Sequence, residues 1–249
     1  MTIVLVHGNP ETDALWDPLV TALGREDVIR LSPPGFGAPV PDGWGGTYLD
    51  YRDWLVGELT RIGGTIDLVG HDWGGNHVVN AMMHRPELVR SWATDIIGVF
   101  DPEYVWHEAA QIWQTPDAGE QFVNALIAGT VQDRAERLAA LGIAADVAAE
   151  IAPGIGPEMG RVILSLYRSV PGQVLAEEGR RLGAAAATPG LHLLATEDGY
   201  TGTEALRRRA AERAGARTEV LDGLGHWWMV QDPVRGAAVL TEFWGSLAN

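Results

Sequence analysis

The sequence predicts an α/β fold in which a mostly parallel, doubly wound sheet carries a helical insertion. Short β-branched and aliphatic runs alternate with amphipathic stretches of helical period, the pattern that builds such a sheet. One long interval then breaks the alternation, with helical patterns and no convincing strand. The length, 249 residues, suffices for one large core, so a single domain with an insertion is expected rather than two domains joined by a linker.

The expected strands are Thr2 to Val6, Val28 to Leu31, Ile66 to Val69, Val89 to Thr94, Leu191 to Ala195 and Thr218 to Leu221. They are short β-branched and aliphatic runs that read as buried parallel strands. Amphipathic segments at Leu15 to Leu23, Tyr48 to Ile62 and Gly75 to His84 supply crossover helices, and a last helix over about Pro233 to Leu247 is expected to pack on the sheet. The helical insertion runs from about Asp101 to Gly183. It includes a break at Trp113-Gln114-Thr115-Pro116, an Ala-rich segment from Arg134 to Ile151, a turn cluster at Pro153 to Pro157 and a helix through Val162 to Arg168. The core is therefore assigned to residues 1–100 and 184–249, with residues 101–183 as a cap. Inserted on the side where strand ends gather functional groups, the cap is placed to roof a pocket and exclude water.

Eighteen Lys and Arg against 33 Asp and Glu give a net charge of −15, which offers no electrostatic footprint for nucleic acid or anionic lipid. There is no cysteine, so disulfides and thiolate chemistry are excluded. No His–acid spacing reads as a metal site and no phosphate-cradling loop is present, so neither metal nor cofactor is expected. The run Thr2-Ile3-Val4-Leu5-Val6 has no basic leader and is too short for a secretory core or a membrane span. A cytoplasmic protein that binds neither membrane nor nucleic acid is the expectation. Oligomeric state is left open.

Chemistry concentrates at Gly70-His71-Asp72-Trp73-Gly74-Gly75, directly after the third apolar run. A G-x-nucleophile-x-G spacing makes a sharp strand-to-helix turn, because residues without Cβ at both flanks let the backbone bend and lift the central side chain clear of the sheet. Here the central residue is Asp72. Asp198 and His226 follow in the order nucleophile, acid, histidine, each just past an expected strand. A carboxylate with an ordinary pKa of about 3.9 is ionised at neutral pH and attacks without a base. The histidine is then free to activate water against the resulting alkyl ester, oriented by the acid. Backbone N–H groups at Trp73 and in His7-Gly8-Asn9-Pro10 are placed to stabilise the oxygen charge that develops.

These motifs, with Pro34-Gly35-Phe36-Gly37, Thr196-Glu197-Asp198 and Gly225-His226-Trp227, resemble the α/β-hydrolase superfamily, and within it the epoxide hydrolase and haloalkane dehalogenase branches that use an aspartate nucleophile. The resemblance spans most of the chain. It implies a six-stranded sheet with the family's first two strands missing, since the His-Gly loop follows the third strand in the family. It also implies a cofactor-independent hydrolase acting on a small apolar or aromatic electrophile and water. Tyr167, in Leu164-Ser165-Leu166-Tyr167-Arg168, resembles the lid tyrosine that donates a proton to an opening epoxide. The second lid tyrosine of the family aligns with Ala109, which leaves Tyr104, Trp106, His107 or Trp113 to compensate. Asn9 and Trp73 match a halide-binding pair of the dehalogenases. The resemblance favours epoxide hydrolysis to a vicinal diol over dehalogenation. Trp106, Trp113 and Trp227 are expected to wall the substrate pocket.

Plainer roles stand beside each of these. Asp72 is also a natural turn residue, Asn9 a loop cap, Tyr167 a packed core side chain, and Asp95 or Asp101 an alternative partner for the histidine. His71, His77, His84 and His192 are assigned solvated or structural roles. A member that keeps the fold but binds ligand with slow turnover or none is the alternative of a different class.

Overall fold

The computed structural model describes residues 1–247. Strand β1 (Thr2–Val6) leads through a short 3-10 turn into α1 (Asp17–Leu23), then β2 (Val28–Leu31), α2 (Tyr48–Ile62), β3 (Ile66–Gly70), α3 (Asp72–His84) and β4 (Ser91–Thr94). Six helices follow before the next strand: α4 (Glu108–Gln114), α5 (Ala118–Ile127), α6 (Val131–Ala140), α7 (Ala145–Ile151), α8 (Pro157–Arg168) and α9 (Val174–Glu178). A 3-10 run over Gly179–Ala187 returns the chain to β5 (Gly190–Ala195), α10 (Glu204–Arg213), β6 (Ala216–Leu221), α11 (Trp228–Gln231) and α12 (Pro233–Ser246). The strands form one parallel sheet of six in the order β2-β1-β3-β4-β5-β6.

The strand sequences explain this order. β3, β4 and β5 are buried along their whole length, as interior parallel strands must be, whereas β2 and β6 are half-exposed and carry Arg30, Arg217 and Glu219. Charged, short outer strands blunt the open edges of the sheet. The one charge inside β3, Asp67, is fully satisfied by the Arg90 guanidinium at 2.7 and 2.9 Å and by the Ser91 hydroxyl at 2.5 Å. Helices pack in two groups, α1 with α11 and α12, and α2 with α3, which also meets the 3-10 run that α10 touches. The chain order reverses between β1 and β3, so the loops after these strands open a crevice at their carboxyl ends.

Most expected elements stand where the sequence places them, with shifts that have local causes. α3 starts at Asp72 rather than at Gly75 because the turn itself begins the helix. β4 starts at Ser91, after a 3-10 turn at Pro86–Leu88. The Ala-rich stretch is two helices, broken where Gly142 adopts φ 111. Thr47 and Thr130 open α2 and α6 with reciprocal capping boxes through Asp50 and Asp133. Among the described residues, no helix is long and apolar enough to cross a membrane.

Glycines let α3 approach the sheet. A β-carbon on Gly74 would lie 2.2 Å from the Val6 carbonyl oxygen, and one on Gly75 would lie 2.3 Å from the Thr94 hydroxyl. The first turn of α3 is therefore seated directly on β1 and β4. Gly74→Ala is expected to lower unfolding stability by about 3 kcal/mol, because the Val6 carbonyl it would meet is backbone that cannot rotate away. Urea unfolding measures this, and a loss below 0.5 kcal/mol, about that of a neutral surface substitution, would contradict the packing described.

Candidate active site

Asp72 stands at the junction of β3 and α3 with φ 50, a left-handed conformation that a side chain other than glycine rarely adopts. His71 before it is extended, so the chain turns within one residue and the Asp72 carboxylate projects above the strand ends. The Asp72 backbone N–H donates to Asp95 Oδ1 at 3.2 Å, and the Asn9 backbone N–H donates to Asp72 Oδ1 at 3.0 Å. A β-carbon on Gly8 would come within 2.1 Å of that same Oδ1 and 2.6 Å of the Trp73 backbone nitrogen, so the loop after β1 can lie here only as glycine. Burial opposes ionisation of Asp72, but His226, His71 and the Asn9 N–H outweigh it and hold the carboxyl at about 2. It is a carboxylate across the physiological range.

His226, in the loop after β6, turns Nδ1 to Asp198 Oδ2 at 2.9 Å and Nε2 toward Asp72 Oδ2 at 3.6 Å. Asp198, after β5, also accepts the Tyr200 N–H at 2.8 Å, which fixes its second oxygen. Burial would depress His226, yet the charge and hydrogen bond of Asp198, with Asp72 behind them, raise it well above its ordinary value. Asp198, not Asp95 or Asp101, is thus the acid against this histidine. Asp95 is committed to the turn and to His71, and Asp101 pairs with Arg209 of α10 at 2.6 Å.

Beneath these groups lies a buried polar layer that the sequence did not disclose. His71 directs Nδ1 to Asp95 Oδ2 at 2.5 Å and Nε2 to Glu11 Oε1 at 3.2 Å. The Trp227 indole donates to Glu11 at 2.7 Å and the Trp228 indole to Asp95 at 2.7 Å, so the residues following His226 are tied to both carboxylates. Glu11 also accepts the Gly8 N–H at 3.1 Å. Glu11 and His71 are fully buried. His71 is therefore structural, as expected, but it is a network member rather than a solvated side chain. His77 and His192 are also buried, His77 stacking on Tyr51 at 4.9 Å.

Two cavities meet at Asp72. The larger, about 130 Å³, is walled by Trp113, Phe122, Leu126 and Trp227, with Asn9 and Ala109 also on its surface. The smaller, about 20 Å³, lies toward Trp73, Trp106 and Tyr104. Asp72, His107, Tyr167 and Tyr200 border both. Tyr167, from α8, is buried between Trp73, Trp106 and Trp113, with ring centres 5.1, 5.6 and 4.6 Å away. The Asn9 side-chain amide donates to its hydroxyl at 3.5 Å. Burial and the nearby Asp72 charge keep the Tyr167 phenol well above its usual range, opposed by Asn9 and the Trp73 indole. The residues singled out by sequence are thus brought together: Asp72, Asp198, His226, Asn9, Trp73, Tyr167, Trp106, Trp113 and Trp227. His107 and Tyr200 join them. His107 Nδ1 accepts the Ala110 N–H at 3.3 Å, which leaves the proton of the neutral ring on Nε2. Tyr104 donates its hydroxyl to the Tyr200 carbonyl at 2.8 Å. Among the described residues, no group of three or more His, Asp or Glu side chains is arranged to hold a metal ion.

The fold is similar to that of E-2-(acetamidomethylene)succinate hydrolase, with a TM-score of 0.77 and 20% identity over 98% of this chain and 91% of that one. It is also similar to haloalkane dehalogenase DbeA from Bradyrhizobium elkani USDA94, with a TM-score of 0.73 and 20% identity over 99% of this chain and 91% of that one. In sequence, 79 residues are 34% identical to a protein named probable oxidoreductase EphD from Mycobacterium tuberculosis strain H37Rv, covering 29% of this chain and 13% of that protein. The match thus spans only a small part of that relative's length. A family model described as alpha/beta hydrolase family matches residues 3–239. With the six-stranded parallel sheet and the strand-to-helix turn at Asp72, the chain belongs to the alpha/beta hydrolase family.

Proposed function

We propose that the chain hydrolyses epoxides to vicinal diols through an alkyl ester on Asp72. The observation that carries this reading is the Asn9 amide donating to the Tyr167 hydroxyl oxygen at 3.5 Å. An oxygen that accepts a hydrogen bond from Asn9 keeps its own O–H free to point elsewhere, and Tyr167 borders both cavities at Asp72. A buried phenol of raised pKa is a neutral proton donor, which is what an alkoxide leaving from carbon requires. His107 Nε2–H, on the same cavity wall as Ala109, supplies a second donor where the family's second tyrosine is absent.

In this mechanism Asp72 Oδ1 is held by the Asn9 N–H and Oδ2 attacks the ring carbon as Tyr167 protonates the departing oxygen. His226, oriented by Asp198, then takes a proton from water, whose oxygen adds to Cγ of Asp72. Negative charge develops on Oδ1, where the Asn9 N–H is already in place. Helices α4–α9 act as the cap, contributing Trp113 and Tyr167, and the aromatic wall of the larger cavity selects a small apolar or aromatic substrate.

One observation favours a second reading, haloalkane dehalogenation: the Asn9 amide and the Trp73 ring lie together beside Asp72, both against Tyr167, as the donor pair an outgoing halide needs. Tyr167→Phe separates the two. For an epoxide hydrolase it should slow single-turnover diol formation by about 100-fold or more, while Asn9→Ala has a smaller effect. Halide release that survives Tyr167→Phe and is abolished by Asn9→Ala assigns dehalogenation instead. His226→Gln should form the ester and fail to hydrolyse it, so intact-mass spectrometry after exposure to substrate should show an adduct that maps to Asp72. If no adduct appears across epoxide and haloalkane panels, the ester mechanism is wrong.

A further inference from the structure

We propose that the smaller chamber beside Asp72 is a hydroxyl subsite in which Asn76 and Thr201 bind a hydroxymethyl arm of the epoxide, so that the preferred substrates are epoxy alcohols. The inference rests on the reading of Asp72 as a nucleophile toward an epoxide and names the substrate class. It starts from two buried side chains that the mechanism does not use. Asn76 and Thr201 are 3% and 2% exposed, and both line the chamber. Asn76 Oδ1 and Thr201 Oγ1 have no hydrogen-bond partner among the described residues. Buried polar atoms of this kind are exceptions in folded proteins, because an unpaired one costs stability. These two stand on the wall of a site, where an incoming group can supply the partner.

Both side chains are held in place. Asn76 lies one turn after Asp72 on α3, so the two share a helix face and the Asn76 side chain leans back toward the nucleophile. Thr201 follows Asp198 in the loop after β5. A β-carbon on Gly98 would lie 2.3 Å from the Thr201 carbonyl oxygen, so the Thr201 backbone is seated against the 3-10 turn Ile97–Phe100. A pair fixed by a helix and a packed loop is organised before any ligand arrives.

Size and charge narrow the occupant. At about 20 Å³ the chamber has room for one oxygen-sized group. Its other polar side chains are committed: Tyr104 donates to the Tyr200 carbonyl, while Tyr167 and His107 serve the departing ring oxygen in the mechanism above. An amide and a hydroxyl together offer donors and acceptors, and a hydroxyl group uses both at once by donating to one and accepting from the other. Among the described residues no Lys or Arg lines the chamber, and the Asp72 carboxylate borders it, so an anionic arm is repelled. A cationic arm would pair with Asp72 and occupy the oxygen that attacks. A neutral hydroxyl meets every condition.

Connectivity then sets the length of the arm. A hydroxyl placed directly on an epoxide carbon is unstable and opens to a carbonyl, and an arm of several atoms exceeds the chamber. One carbon between ring and oxygen satisfies both limits. The apolar or aromatic arm of the same substrate lies in the larger cavity against Trp113, Phe122, Leu126 and Trp227. Hydrolysis gives a triol, and the hydroxyl held by Asn76 and Thr201 takes no part in making or breaking bonds.

Phenylglycidol and its ethyl analogue, in which methyl replaces the hydroxyl, test the subsite. In the native chain kcat/KM should favour phenylglycidol by about 100-fold, because the analogue without the hydroxyl leaves buried polar groups unpaired. Thr201→Val keeps the shape and removes the hydroxyl; it should cut that ratio by about 10-fold or more and raise turnover of the ethyl analogue. Asn76→Leu should cut the ratio likewise, and Thr201→Ser should keep it near the native value. A merely structural role would lower both substrates together. A native ratio near unity, or one that a folded Thr201→Val or Asn76→Leu protein leaves unmoved, overturns the proposal. If the native chain turns over no epoxide, the proposed function fails, and binding of the unreactive pair phenylpropanol and butylbenzene still decides the subsite. Tryptophan fluorescence follows that binding, since Trp73 and Trp106 line the chamber. Thr201→Val should shift the ratio of the two Kd values toward butylbenzene by about 10-fold, and an unmoved ratio overturns the subsite.

Discussion

At φ 50 the backbone of Asp72 occupies a region that a β-carbon disfavours by about 1–3 kcal/mol, and the surrounding chain is built to hold it there. Gly74 and Gly75 let the first turn of α3 rest on β1 and β4, and Gly8 lets the neighbouring loop reach the carboxylate. Asp95 accepts the Asp72 N–H, and the carboxylate itself sits at the amino end of α3, where the helix favours negative charge. Two strands, one helix and one loop thus converge on a single residue. The orientation of the carboxylate, with Oδ1 toward Asn9 and Oδ2 toward His226, follows from that convergence.

The same turn concentrates charge. Asp72, Asp198, Glu11 and Asp95 meet around His71 and His226 in a region almost closed to solvent. Isolated carboxylates would be expelled or protonated in such a place, but each here receives N–H donors from backbone, indole or imidazole. The indoles do two things at once. Because Trp227 and Trp228 directly follow His226, their hydrogen bonds to Glu11 and Asp95 also tie the histidine loop down onto the turn. Removing one partner of such a buried set costs about 3–5 kcal/mol in comparable systems, so the electrostatics of the site and the position of its histidine are not separable.

What the sequence disclosed divides along physical lines. Strands such as Ile66–Gly70 announce themselves because burial on both faces demands unbroken apolar runs, and the turn at Asp72 because close backbone approach demands glycine. Asp72, Asp198 and His226 were legible because each closes a strand in a known order. Glu11 was not, since its partners His71 and Trp227 lie 60 and 216 positions away and no local period links them. The helical break at Gly142 was hidden by good helix formers on both sides. Tyr167 on its apolar helix has the pattern of core packing, and it is buried; the Asn9 amide against its hydroxyl and its place on both cavities at Asp72 distinguish it from an ordinary core tyrosine.

The two cavities are unequal, about 130 Å³ and about 20 Å³, and Asp72, His107, Tyr167 and Tyr200 form the partition between them. The smaller admits little more than a water-sized group. Under the proposed mechanism, a carbon held against Asp72 would extend its bulky substituent into the larger chamber and only a hydrogen or compact group into the smaller. Mirror-image molecules would present their large arms to opposite chambers, so the partition would make handedness a consequence of cavity size.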